Sequence, residues 1–175
     1  MGAVARGLTR TARPGSTGAM SDSAGIPDFE YVSYLKATPE QVWTALTDRE
    51  ITAKFWGHSQ VSEWAVGATV EHVRTDGSGV VDAAGLVTAV ERPRRLAFGF
   101  DFPEDLARPG FAPSTVAFDI APHRDIVRVA VTHSGLRTTE ERESIALGWP
   151  AVISNLKTLL ETGDVLPQAP WEFFA

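Results

Sequence analysis

The feature that most constrains the fold is a long amphipathic segment near the C-terminus. It begins at Thr138, which forms a capping box with Glu141, and it ends at Gly163. About 24 residues at ~1.5 Å each predict a helix about 36 Å long. Pro150 lies inside it and is expected to kink it, because proline removes one hydrogen bond of the helix. The apolar residues that recur at helical spacing are Ile145, Trp149, Val152, Ile153, Leu156, Leu159 and Leu160.

Before this helix, between residues 59 and 133, the hydrophobic period is two, which is typical of strands. Several short strands follow one another there, separated by turns, and Gly85 is expected to form a bulge or bend. An earlier strand, residues 29–36, is followed by two short helices capped by Thr38 and Asp48. Residues 101–113, which carry three prolines, are predicted to be a loop.

These elements favour one architecture. A meander of strands must bury one face, and the long helix is the one large element able to cover it. We therefore predict an α+β helix-grip fold, in which a curved antiparallel sheet of about seven strands wraps around the C-terminal helix, with the two short helices after the first strand. One helix rarely fills the whole concave face, so a cavity is expected. The predicted domain covers residues 26–163, and residues 164–175 form a tail.

Residues 1–25 are interpreted as a disordered N-terminal extension. They contain Arg6, Arg10 and Arg13 and no acid before Asp22, so an organellar transit peptide is the alternative. Met20 is a second candidate for the translation start. The apolar stretch of a secretory signal is missing, and a cytoplasmic location is expected.

Charge and composition exclude several classes of function. The net charge of −6 opposes binding to nucleic acid and to anionic membranes. No apolar run reaches the ~20 residues that membrane insertion requires. The chain has no cysteine, so disulfides, thiolate nucleophiles and cysteine metal sites are excluded. The four histidines show neither helical i, i+4 spacing nor an HExxH run, so no metal and no cofactor is predicted.

Three motifs resemble a known family. They are the opening Thr38-Pro39-Glu40-Gln41-Val42-Trp43, the turn Glu91-Arg92-Pro93-Arg94-Arg95-Leu96, and the closing Gly148-Trp149-Pro150 with Asn155-Leu156-Lys157 and Leu159-Leu160-Glu161-Thr162-Gly163. Over residues 28–163 the chain resembles the activator of heat-shock protein 90 ATPase homologue-like family, part of the START-like (SRPBCC) superfamily of helix-grip proteins.

This resemblance implies a deep pocket for lipids, polyketides or other apolar molecules. The eukaryotic co-chaperone of the family carries a separate N-terminal domain that does most of the activating. The present sequence resembles only the C-terminal half of that protein, so a chaperone partner is not expected.

Aromatic and histidine side chains on the elements around the expected cavity are the candidate ligand contacts. Aromatic rings give a pocket rigid apolar walls, and an inward histidine can donate a hydrogen bond or act as a general base. Plain core packing, or a satisfied buried histidine, is the alternative for each of them. The candidates are Trp56, Trp64, His72, Phe98, Phe100, Phe118, His133, Trp149 and Ile153.

The sequence therefore predicts a domain that binds a small apolar molecule, with no catalytic residue assigned. The first alternative is an enzyme of the cyclase, aromatase or hydrolase type that uses His72 or His133 in the same pocket. The second is a chaperone-associated interaction module. A homodimer is left open, because the apolar tail 171–174 either folds over a groove or meets a partner subunit.

Overall fold

The computed structural model describes residues 25–170 of the chain. The predicted extension 1–25, except Gly25, and the tail residues 171–175 lie outside the described residues. No helix within residues 25–170 is both long enough and apolar enough to cross a membrane. The elements in chain order are β1 (Phe29–Leu35), α1 (Pro39–Thr47), α2 (Arg49–Trp56), β2 (His58–Ser62), β3 (Thr69–Arg74), β4 (Val81–Glu91), β5 (Arg95–Gly99), α3 (Pro103–Leu106), β6 (Thr115–His123), β7 (Ile126–Ser134) and α4 (Thr139–Thr162).

The strands form one seven-stranded sheet in the order β1-β7-β6-β5-β4-β3-β2, and every neighbouring pair is antiparallel. The sheet is thus a meander whose first strand pairs with the last. The long helix α4 contacts β1, α1 and α2, and its apolar side faces the core. The helix-grip fold expected from the sequence is confirmed.

Local signals explain the short helices. The Thr38 hydroxyl accepts from the Gln41 N–H at 3.2 Å, and the Gln41 side chain accepts from the Thr38 N–H at 2.8 Å, which is the predicted capping box. Asp48 caps α2, and Gly57, at a φ of +74°, ends it in the left-handed region that glycine adopts without strain. The Asn155 amide donates to the Phe55 carbonyl oxygen at 2.9 Å, which ties α4 to α2.

Two details differ from the sequence predictions. Residues 101–113 are not entirely loop, because α3 begins at Pro103, a residue well suited to a first helical position. The bulge predicted at Gly85 is wrong, because the register shifts of β4 occur at Val87/Ala89 and opposite His72/Val73, and the alternative of a bend stays a prediction. A Cβ atom at Gly85 would lie 2.1 Å from the Gly99 carbonyl oxygen, so glycine there allows β5 to approach closely.

Candidate ligand site

The middle of the concave face is filled by aromatic rings. Trp56 lies at the centre, with its ring centroid 5.3 Å from that of Trp149 and 6.3 Å from that of Phe118. Trp149 comes from α4 and Trp56 from the end of α2, so these rings join the helices to the sheet. All three side chains are buried. The space directly beneath the middle of α4 is therefore core.

His133 belongs to a chain of hydrogen bonds at one end of this core. The Trp149 indole N–H donates to His133 Nδ1 at 3.2 Å, which leaves the proton of the neutral ring on Nε2. That N–H donates to the Ser114 hydroxyl at 3.0 Å, and the Ser114 hydroxyl donates to the Phe100 carbonyl oxygen at 2.7 Å. Burial lowers the pKa of His133 to about 4, so it is neutral at pH 7. Both ring nitrogens of His133 are thus committed to the protein itself.

A buried carboxylate anchors the same end of the sheet. Asp101 has no exposed side-chain surface, accepts from the Ser114 N–H at 2.7 Å and pairs with Arg137 at 2.8 Å. Arg137 also pairs with Glu141 in the first turn of α4 and stacks over the Phe111 ring at 4.5 Å. These contacts tie the loop before β6 to the start of α4, and they neutralise the charge of Asp101.

A cavity of about 420 Å³ opens between this network and the first half of α4. Its walls are mostly apolar, and its charged groups are three carboxylates and one guanidinium. The lining residues are Ala83, Phe100, Asp101, Phe102, Asp105, His133, Arg137, Thr138, Glu141, Ser144 and Ile145.

His72 and Gln60 lie just beyond the cavity wall. They face each other across β2 and β3, and Ala83 is the next residue along the same row on β4. Burial, with a smaller repulsion from His58, lowers the pKa of His72 to about 3. No side-chain nitrogen or oxygen of Gln60 or His72 has a hydrogen-bond partner among residues 25–170.

The structure separates the nine candidate contacts into two groups. Phe100 and His133 line the cavity. The other seven lie in the core around it, where Trp64 packs on Phe98 and donates its indole N–H to the Thr47 carbonyl oxygen at 2.8 Å. Their role as ligand contacts stays a prediction. The residues of this second group are Trp56, Trp64, His72, Phe98, Phe118, Trp149 and Ile153.

Several residues that shape the cavity were missed by sequence reasoning. Asp101 falls in the predicted loop 101–113 and Ser114 was given no role, although hydrogen bonds of Asp101 and Ser114 join the end of β5 to the start of β6. Gln60 occupies an inward position of the short strand β2. A glutamine within a segment of alternating hydrophobicity is the signal that could have identified it as a buried polar residue. Ile145 was identified as an apolar position of α4 but was not assigned to the cavity.

The fold and the cavity define an α+β helix-grip domain of the START-like type. A family model described as "Activator of Hsp90 ATPase homolog 1-like protein" matches residues 36–161, and the chain belongs to this family. A search of the curated proteins finds no match to this sequence.

Solved structures show the same fold at low sequence identity. The Aha1 dimer from Colwellia psychrerythraea is 22% identical with a TM-score of 0.65, and the match covers 79% of this chain and 98% of that one. The protein SSP2350 from Staphylococcus saprophyticus is 21% identical with a TM-score of 0.63, covering 82% and 98%. CalU16 from Micromonospora echinospora is 16% identical with a TM-score of 0.62, covering 78% and 77%. At such identities the likeness shows the fold alone.

Proposed function

We propose that this protein binds a small, largely apolar and uncharged molecule in the cavity beside the first half of α4. The observation that supports the proposal is the cavity of about 420 Å³ with walls formed by Ala83, Phe100, Phe102 and Ile145. A volume of this size falls within the range of about 300–1,000 Å³ that is usual for small-molecule sites.

The charges around the cavity favour a neutral ligand. Its lining contains the carboxylates of Asp101, Asp105 and Glu141 and the single guanidinium of Arg137. Arg137 is already paired with both Asp101 and Glu141, so it offers no free positive charge to an incoming anion. A fatty-acid carboxylate would meet net negative charge here and is expected to bind more weakly than a neutral isoprenoid or polyketide.

A matched pair of variants on α4 tests this proposal. Ile145→Phe fills the cavity, whereas Leu147→Phe adds the same ring type two residues away, at a side chain that is 48% exposed and outside the lining. A panel of fatty acids, isoprenoids and aromatic polyketides is titrated by calorimetry. We expect a neutral compound to bind the wild type and Leu147→Phe alike, and to bind Ile145→Phe at least about tenfold more weakly. Failure of every compound to bind would overturn the proposal, as would equal weakening in both variants.

The enzyme alternative depends on His72. Its two ring nitrogens have no partner among residues 25–170, whereas both nitrogens of His133 are occupied. A general base works best with a pKa near the operating pH, and the pKa of His72 is about 3. We therefore favour binding over cyclase, aromatase or hydrolase chemistry. Turnover of a bound polyketide that His72→Gln abolishes would reverse this preference.

Three further expectations from the sequence are also proposals. A homodimer is supported by the Colwellia relative, which is described as a dimer, and sedimentation equilibrium tests it. A cytoplasmic location rests on the sequence alone, and cell fractionation tests it. The chaperone-associated interaction module stays the third alternative, and a pull-down with and without residues 164–175 tests it.

A further inference from the structure

Within residues 25–170, Gln60 and His72 are the buried polar residues whose side chains have no hydrogen-bond partner. Their residues are only 1% and 2% exposed, and neither side chain has a hydrogen-bond partner among residues 25–170. Buried polar groups in folded proteins are nearly always paired, and each one left unpaired destabilises the fold. Two adjacent exceptions at one place in the sheet therefore require an explanation.

The surroundings of this pair are apolar and aromatic. Because Gln60 and His72 are direct cross-strand partners, their side chains emerge side by side on the same face of the sheet. The His72 ring lies 5.3 Å from the Trp56 ring and 5.7 Å from the Phe98 ring, centroid to centroid. These neighbours offer the pair neither a strong acceptor nor a charge.

The cavity described above ends one side chain away from this pair. Ala83 and Phe100 both line the cavity. Ala83 is the cross-strand partner of His72, and its methyl group fills little of the space that a larger side chain would occupy. The Phe100 ring lies 4.8 Å from the His72 ring and is itself only partly buried, so it stands between the cavity and the pair. A molecule in the cavity would therefore have to displace the Phe100 ring to contact His72.

The donors and acceptors of the pair select the chemistry of a guest. A neutral imidazole offers one N–H donor and one nitrogen acceptor, and the Gln60 amide offers two donors and one acceptor. Both side chains are uncharged, so a carboxylate or an ammonium group would be buried without a counter-charge at high cost. A hydroxyl group both donates and accepts, which lets one small neutral group form a hydrogen bond with each side chain.

We infer that Gln60 and His72 form the polar end of the ligand site, reached past Phe100, and that they bind the hydroxyl group of an apolar alcohol or phenol. This inference rests on the proposed binding function and names its ligand class. It also gives each of the two unpaired side chains a hydrogen bond in the complex.

The test compares two probes of nearly equal size, 2-naphthol and 2-methylnaphthalene, by equilibrium dialysis against the full chain. A site built to pair with a hydroxyl discriminates strongly against an analogue that lacks it, so we expect 2-naphthol to bind the wild type at least about tenfold more tightly. In His72→Leu and in Gln60→Leu the ratio of the two dissociation constants should fall close to one. The exposed His123 supplies a matched control, because His123→Leu should keep the wild-type ratio.

The possible outcomes separate failure of the hydroxyl-binding inference from failure of the proposed binding function. Equal binding of both probes by the wild type overturns the inference and leaves the cavity as a general apolar site. A preference for 2-naphthol that survives in both leucine variants overturns it as well, because the hydroxyl would then be bound elsewhere. If neither probe nor any compound of the earlier panel binds, the proposed function itself fails. Circular dichroism establishes folding, and if one leucine variant does not fold, the ratio measured for the other decides the test.

Discussion

The two buried histidines of this protein both pack against one phenylalanine ring and differ completely in their hydrogen bonds. The Phe100 ring centroid lies 4.8 Å from that of His72 and 5.8 Å from that of His133. His133 uses both nitrogens, one with Trp149 and one with Ser114. His72 uses neither with any group among residues 25–170. The same residue type, with almost no solvent exposure at either position, thus has two physical roles.

The difference shows how the surroundings of a buried polar group indicate its role. His133 is part of a closed chain that fixes Trp149 and the carbonyl of Phe100, so its contribution is to the stability and shape of one cavity wall. His72 destabilises the protein on its own, since desolvation without a partner is unfavourable. An unpaired group of this kind beside a cavity supports the proposal that a bound molecule supplies its partner.

Replacing each histidine by leucine, which has a similar volume, gives the largest expected contrast. His133→Leu leaves the Trp149 indole N–H buried without an acceptor, and we expect it to lower the free energy of unfolding by about 3 kcal/mol. His72→Leu removes only unpaired polar atoms and should change it by less than about 1 kcal/mol. Urea denaturation followed by tryptophan fluorescence measures both. Equal losses would mean that His72 is as firmly satisfied as His133.

The pH dependence of stability sharpens the contrast further. The pKa of His72 falls from 6.5 in the unfolded chain to about 3 in the folded protein. Between these values the unfolded state binds the extra proton, so stability is complete above about pH 6.5 and decreases as the pH falls below it. At pH 5 the loss from His72 amounts to about 2 kcal/mol.

His72→Leu should remove the part of the stability loss at low pH that is caused by His72. The variant is expected to lose about 2 kcal/mol less than the wild type between pH 7.5 and pH 5 in the same urea experiment. Some sensitivity should remain, because burial also lowers the pKa of His133, to about 4. Parallel curves for the wild type and the variant would show that His72 keeps an ordinary pKa in the folded protein.

The fold could be predicted because its signals are local and repeated. The capping box at Thr38, the N-cap at Thr138, the apolar spacing of α4 and the alternation in β6 and β7 each indicate one type of element, and together they allow one architecture. The predicted capping box at Thr138 is only half formed, because the Glu141 carboxylate accepts from the Arg137 N–H instead. The short helix at Pro103 was missed because four residues carry too little periodicity to detect.

The site was harder to predict because its important contacts join residues far apart in the chain. The sequence marks Trp149 and His133 as inward-facing, but it does not show that one donates to the other and closes both nitrogens to a ligand. Asp101 lies in the cavity wall, and its contacts with Ser114 and Arg137 join the sheet to the start of α4. Whether a buried polar side chain is satisfied is a property of the folded protein, which hydrophobic periodicity does not report.

Gln60→Leu is expected to have the smallest effect on the free energy of unfolding. The sign of that effect shows whether the Gln60 amide stabilises the protein. Its backbone N–H already donates to the Thr52 hydroxyl at 3.0 Å, so Gln60→Leu leaves that bond intact and removes only the unpaired amide. We expect the free energy of unfolding to stay unchanged or to rise by up to about 1 kcal/mol. Thr52→Val is the control, because it removes the partner of the Gln60 backbone and should lower stability by about 1 kcal/mol. A clear loss of stability in Gln60→Leu would mean that the Gln60 amide stabilises the protein without any bound molecule. Gln60 would then resemble His133, and the contrast between paired and unpaired polar side chains near the cavity would disappear.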